Sequence, residues 1–230
     1  MPSPSPSPLP TPLSLLAPHF HSALLLTTYT SFFPSLVSIP GATLLSTLPS
    51  LTLLQTVFCL LCVTPSTPPK PAAKRKPHPT SSSSSTLQTL SSRLLPTLLS
   101  LLLTLPLGTT IAAFLLVVFG APVTTHIPAT LGAAGHIAVL AGLPLVVRNG
   151  VDGERWRGVV ACVGEAARGG EFGGAVGAAV GAWVGAVPIP LDWDREWQKW
   201  PVTVLTGAYV GYVLGKTIGG VMPTVKAKSG

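Results

Sequence analysis

Glycine recurs at every fourth position in two apolar stretches, first as Gly173, Gly177, Gly181 and Gly185, then as Gly207, Gly211, Gly215 and Gly219. Positions i and i+4 share a helix face, so each stretch, when helical, carries a stripe without side chains. Two such helices can close until their backbones touch. That is how helices associate inside a bilayer, where no hydrophobic effect drives them together. The eleven residues 191–201, LDWDREWQKWP, interrupt the glycine pattern with three tryptophans, three carboxylates and two cations. A single charge at mid-bilayer costs about 2.5–3.5 kcal/mol, so this segment lies outside the hydrocarbon, with its tryptophans at headgroup level. The two stretches are predicted to form a tight antiparallel membrane hairpin.

The rest of the chain suits that setting. Of its 230 residues, 47% are hydrophobic and only 9% charged, against roughly 25% charged in a soluble domain. Apolar runs of about 20 residues, the length that crosses the hydrocarbon as helix, occur near 20–39, 44–64, 94–119, 128–147, 172–190 and 202–221. Their length favours helices over a β-barrel. The expected fold is an all-α polytopic transmembrane helix bundle of about six spans. Residues 1–18 are Pro/Ser-rich and read as disordered, 19–64 as two spans weakened by Pro34 and Pro49, and 65–93 as a basic Ser/Pro-rich linker. Residues 94–222 then form a four-span membrane domain and 223–230 a basic tail.

Charge predicts orientation. Residues 1–150 hold Lys70, Lys74, Arg75, Lys76, Arg93 and Arg148 and no acid. Short loops rich in Lys and Arg stay on the cytosolic side, which places both termini there with Arg155, Arg157, Arg168 and Lys216. The tryptophan loop falls on the lumenal side. Cations confined to short loops between apolar runs argue against nucleic acid as a partner. Lys226 and Lys228, fifth and third from the end, match a cytosolic dilysine retrieval signal, which implies the endoplasmic reticulum membrane.

Each chemical candidate has a plainer counterpart. Asp192, Asp194 and Glu196 have the makings of a metal or acid/base site, yet they also pair with Arg195 and Lys199 while Trp193, Trp197 and Trp200 anchor the loop. The glycine stripes suit a substrate path as well as close packing. His126 and His136 lie in or beside spans, where ionisable groups are costly, and a lone imidazole reads as a helix contact; His19 and His21 read as interfacial. Cys59 and Cys62 form a C-x-x-C with no second ligand pair, so core packing is expected and no cofactor. Residues 154–168 have the pattern of an amphipathic surface helix, with arginines towards headgroups, and equally that of a short solvated helix. No phosphate-binding glycine loop, H-E-x-x-H or nucleophile motif occurs in the sequence.

The run from Gly181 to Gly215, with its core PLDWDR-x-WQ-x-WP, resembles the C-terminal region of the PIG-F family of glycosylphosphatidylinositol-anchor biosynthesis proteins. The resemblance implies a multi-pass protein of the endoplasmic reticulum that associates with and stabilises large ethanolamine-phosphate transferase subunits, which hold the catalytic domain. Those subunits are the expected partners, together with membrane lipid and, as a further ligand, the glycolipid precursor. The chain itself is then non-catalytic. Asp192, Trp193, Asp194, Arg195, Trp197, Gln198, Trp200 and Pro201 form the lumenal partner loop in this reading, and the eight ladder glycines the packing surface. Two rivals stay open: a lipid-binding or catalytic membrane protein using Asp192 and Asp194, and a small transporter.

Overall fold

The computed structural model describes residues 12–65, 84–191 and 193–221. Asp192, Lys226, Lys228 and most of the sequence-predicted tail and linker lie outside the described residues. Those described are helices and turns, with no strand among them. The helices are α1 (Pro12–Ser38), α2 (Pro40–Cys62), α3 (Ser84–Leu103), α4 (Thr109–Val118), α5 (Ile127–Ile137), α6 (Leu143–Asn149), α7 (Gly153–Val160), α8 (Gly169–Ala186) and α9 (Val202–Val221). Helix therefore covers residues 12–18 and 84–93, assigned above to the N-terminal tail and the linker.

Two prolines shape the middle of the chain. A proline has no N–H and crowds the carbonyl four residues back, and the ladder can answer by taking in one extra residue as a π turn. Such turns occur at Thr104–Gly108, around Pro106, and at Ala138–Gly142, just before Pro144. They join α3 to α4 and α5 to α6 as two long rods. Pro144 cannot serve the carbonyl of Leu140, and the buried Gln55 on α2 donates to that oxygen at 2.8 Å instead. The two π turns also face one another: a Cβ on Gly108 would stand 3.4 Å from that of Ala138.

Three rods or helices are long and apolar enough to cross a membrane: Pro40–Cys62, Arg93–Val118 and Ile127–Asn149. Helices α1, α8 and α9 are not among them. Glycine adds little hydropathy to α8 and α9, and hydroxyl residues and histidines dilute α1, so the expected count of six is only half carried by composition.

The rod of α5 and α6 is the hub. Ala133, Ala134, Val139, Leu140 and Leu143 are fully buried in it. Helix α2 docks through a second small-residue seam that the sequence reading did not isolate. Leu44 presses over Gly132, Leu48 over Gly135, and a Cβ on Gly41 would meet that of Pro128 at 3.0 Å. From the other side α1 and α9 bring Leu25, Tyr29, Leu36, Leu205, Tyr209 and Tyr212 into one cluster, with the Tyr29 and Tyr209 rings 4.5 Å apart. By contrast, only 6% of the most apolar eighteen-residue stretch of the rod Arg93–Val118 is buried, against 72% for Ile127–Asn149.

Polar bolts cross this interior. His136 Nε2 faces the Leu44 carbonyl at 2.9 Å, an oxygen that only accepts, so that nitrogen carries the proton and Nδ1 accepts from the Tyr209 hydroxyl at 2.9 Å. Every polar atom of the imidazole is thereby satisfied, which is the plain helix-contact role. Tyr29 donates to Thr206 Oγ1 at 2.6 Å, because Thr206 spends its own proton on the Val202 carbonyl.

Candidate functional site

Helices α8 and α9 run antiparallel, and each rung of glycines on one meets a rung on the other. Gly173 faces Gly215, Gly177 faces Gly211, and Gly181 faces Gly207. A Cβ built on Gly177 would lie 2.9 Å from both the Gly211 carbonyl carbon and the Gly215 Cα, and closer still to the Gly211 carbonyl oxygen. No side chain is there to yield, since the obstructing atoms are backbone. The same register continues to the ends, where Gly185 faces Thr203 and Gly219 faces Gly169. Gly169 also has φ +85°, a conformation that itself favours glycine.

The connection between these helices is built around Gln198. Its buried amide donates to the carbonyls of Pro188 at 2.8 Å and Leu191 at 2.7 Å, and its oxygen accepts from the Arg195 N–H at 2.9 Å. One side chain thus ties the outgoing and returning limbs together. Glu196 pairs with Lys199. Trp193 and Trp197 stand 5.8 Å apart at 58° and are both exposed, while Asp194 is exposed with φ +47°. Trp200 turns the other way and donates from Nε1 to Thr130 Oγ1 at 3.0 Å, fastening the loop to the start of α5. Thr130 can accept because its own hydroxyl donates to the Pro122 carbonyl. Pro201 is buried directly behind it, after a cis peptide. Among the described residues no three His, Cys, Asp or Glu side chains come together as a metal site. The chemistry this loop offers is interfacial anchoring by two indoles beside a salt-bridged turn.

Several residues stand where the sequence did not place them. Lys216, read above as a cytosolic cation, is only 6% exposed. Its ammonium donates to the Pro18 carbonyl at 3.2 Å and to His21 Nδ1 at 2.7 Å, and lies 3.9 Å from the centroid of the Phe58 ring. Since an ammonium only donates, His21 Nδ1 accepts, and this imidazole stacks on Phe58 at 4.0 Å. His21 is therefore buried between α1, α2 and α9. The 3–4 spacing of Leu205, Tyr209, Tyr212 and Lys216, all on one helix face, was the signal available for this. Cys59 is buried in a packed cluster with Phe58, Val63, Leu143 and Val147. Of the two readings of 154–168 the short helix is the one observed: α7 is N-capped by Asp152 and followed by Cys162 and Gly164 at positive φ. Trp156 donates to the Gly150 carbonyl at 2.8 Å, while Val160 and Val163 are exposed.

Comparison with known proteins agrees with the sequence resemblance. The profile of the GPI biosynthesis protein family Pig-F matches residues 20–220. Glycosylphosphatidylinositol anchor biosynthesis protein 11 of Aspergillus fumigatus is 41% identical, the match covering 86% of this chain and 76% of that protein. The protein of the same name from Neurospora crassa is 42% identical over 89% of this chain and 74% of its own length. A PIGF/3-ketodihydrosphingosine reductase fusion protein of Schizosaccharomyces pombe is 30% identical over 50% of this chain and 24% of its own length. No solved structure matches. With the family match running from α1 to the last turn of α9, this chain belongs to the PIG-F family of GPI-anchor biosynthesis proteins.

Proposed function

We propose that this chain is a non-catalytic membrane subunit that binds and stabilises the ethanolamine-phosphate transferases acting on mannoses of the glycosylphosphatidylinositol precursor. The observation that carries the reading is the rod Arg93–Val118. It is the most apolar of the three membrane-length segments, yet almost none of it is buried. The rod packs on the bundle along one side, through Leu105, Leu116 and the facing π turns, and its other side, with Leu98, Leu102 and Phe114 exposed, is the apolar face it would offer to the membrane spans of a larger partner.

In this reading α1, α8 and α9 also cross the bilayer, which makes six spans, with α8 and α9 as a glycine hairpin whose facing stripes are used on each other. Both termini lie on the cytosolic side of the endoplasmic reticulum membrane, Lys226 and Lys228 act in retrieval, and the loop with Trp193, Asp194 and Trp197 is presented in the lumen to the transferase. The glycine pair then stiffens the subunit, and the outer rod together with the loop does the docking.

The test is co-purification of a transferase from membranes that carry either the native chain or one with Leu98, Leu102 and Phe114 changed to alanine. These side chains are exposed on the rod, so folding should survive. Loss of the transferase from the purified complex, with glycolipid lacking ethanolamine phosphate accumulating, is the expected result. Full recovery of the transferase would overturn the assignment of the docking face, and an unchanged glycolipid profile after deletion of the whole chain would overturn the function. Changing Asp192 and Asp194 to alanine separates the catalytic rival: activity lost from an intact complex would favour chemistry in this chain.

A further inference from the structure

Three enclosed polar atoms on three helices have no hydrogen-bond partner among the described residues: His21 Nε2 on α1, Gln55 Oε1 on α2 and the Tyr212 hydroxyl on α9. His21 is 5% exposed, and Gln55 and Tyr212 are fully buried. They are neighbours, because the Gln55 side chain adjoins both the imidazole and the phenol. A buried polar group left unmet is costly, and three in one place call for a cause. Their proton states follow from their surroundings. Lys216 donates to His21 Nδ1, so Nε2 carries the proton and can only donate. Gln55 Oε1 only accepts, with two lone pairs, and the Tyr212 hydroxyl has a proton to give. One carbonyl oxygen therefore suffices for both donors. The other end of the same amide, however, is committed to the Leu140 carbonyl at 2.8 Å, the oxygen that Pro144 leaves unserved.

We infer that Gln55 is a two-position latch, whose amide either reaches out to the Leu140 carbonyl or draws back to accept from His21 and Tyr212, and does not do both at once. In the position described, one hydrogen bond is made and three atoms stay unmet. In the other, two bonds form and the Leu140 carbonyl is left over. Neither position satisfies every group, so the two lie close in free energy, which is the condition for a bistable element. The consequence falls on the π turn at Ala138–Gly142, which loses its external donor when the amide draws back. That turn is the footing of the rod Arg93–Val118, since Ala138 faces Gly108 across the contact. The latch needs neither the transferase reading nor the orientation of the chain in the bilayer, so it fails separately from them.

The chain holds three glutamines, Gln55, Gln88 and Gln198. Labelling their side-chain amides with nitrogen-15 gives three N–H pairs in the magnetic resonance spectrum of the full chain in nanodiscs, and Gln88→Ala and Gln198→Ala identify two of them. Pro144→Ala restores an N–H four residues beyond Leu140 and should release the Gln55 amide from that carbonyl. Tyr212→Phe keeps the ring, removes one of the two donors that draw the amide back, and should hold it on Leu140. Each change is worth one net hydrogen bond, about fivefold in the ratio of the two positions. The Gln55 signals should therefore move in opposite directions in the two variants, with the native chain between them or showing both sets at once. Signals that stay in place in Tyr212→Phe, or that move the same way in both variants, would overturn the latch. Should Pro144→Ala fail to fold, Tyr212→Phe decides alone.

Discussion

Replacing Gly177 with alanine puts one carbon where the structure leaves no room for it. The new Cβ would stand 2.9 Å from the Gly211 carbonyl carbon and the Gly215 Cα, whereas carbon atoms rest about 3.5–4.0 Å apart. The helices must part by about 1 Å along the rungs nearest the change, and a gap of that size forfeits up to about half of each facing pair's attraction. Because backbone obstructs the methyl group, the cost belongs at the upper end for overpacking, about 3 kcal/mol. Alanine returns about 1 kcal/mol in helix propensity. The net loss is about 2 kcal/mol, roughly thirtyfold in the folding equilibrium. Gly220→Ala is the control, since nothing lies within 4 Å of a Cβ there, so only the propensity gain remains. Thermal unfolding of both variants in the same detergent should move Gly177→Ala down and leave Gly220→Ala at or above the native chain. If Gly177→Ala melts no lower than the native chain, the close-packed seam is not what holds α8 to α9.

Tyr209→Phe removes the hydroxyl that donates to His136 Nδ1 and should destabilise the bundle by about 1–3 kcal/mol, read in the same unfolding assay. Gln198→Ala breaks three hydrogen bonds in the connection, so hydrogen exchange over residues 188–199 should rise well above native while α5 and α6 keep their protection. Lys216→Met keeps the length and removes the donor to Pro18 and His21, so exchange should rise at the N-terminal half of α1 before any change at α5. Trp200→Phe keeps an aromatic ring but loses the bond to Thr130, and about 1 kcal/mol of stability should go; Thr130→Val also breaks the bond to the Pro122 carbonyl and should cost more in the same assay.

The glycine stripes announced their own contact because a four-residue repeat has one geometric meaning in a helix, and the tryptophan core identified the family over a short run. Other features carried weaker signals. Lys216 lies near the end of a span, where a hydropathy window registers only a boundary; its burial depends on Pro18 and His21, almost two hundred residues away in sequence. The Gly41, Gly132 and Gly135 seam has no regular repeat, because one of its sides is leucine side chain and not glycine. Gln198 looked like one polar residue among many, and its role appears only when the carbonyls of Pro188 and Leu191 are brought back to it. The π turns follow from Pro106 and Pro144, but whether a proline kinks, ends or bulges a helix depends on what neighbouring helices can donate, as Gln55 does to Leu140.

A ladder with identical rungs has a property that an ordinary side-chain interface lacks. Sliding α9 along α8 by four residues, about 6 Å, would regenerate nearly the same close approach, with glycine again opposite glycine on most rungs. The seam therefore specifies proximity without specifying alignment, and mismatched settings lie close in energy. What distinguishes the native setting is asymmetric hardware at the two ends: the Gln198 clasp with the Trp200 fastening on one side, and the lysine lodged against α1 on the other. Loosen both, and the pair should become a ratchet with several stops.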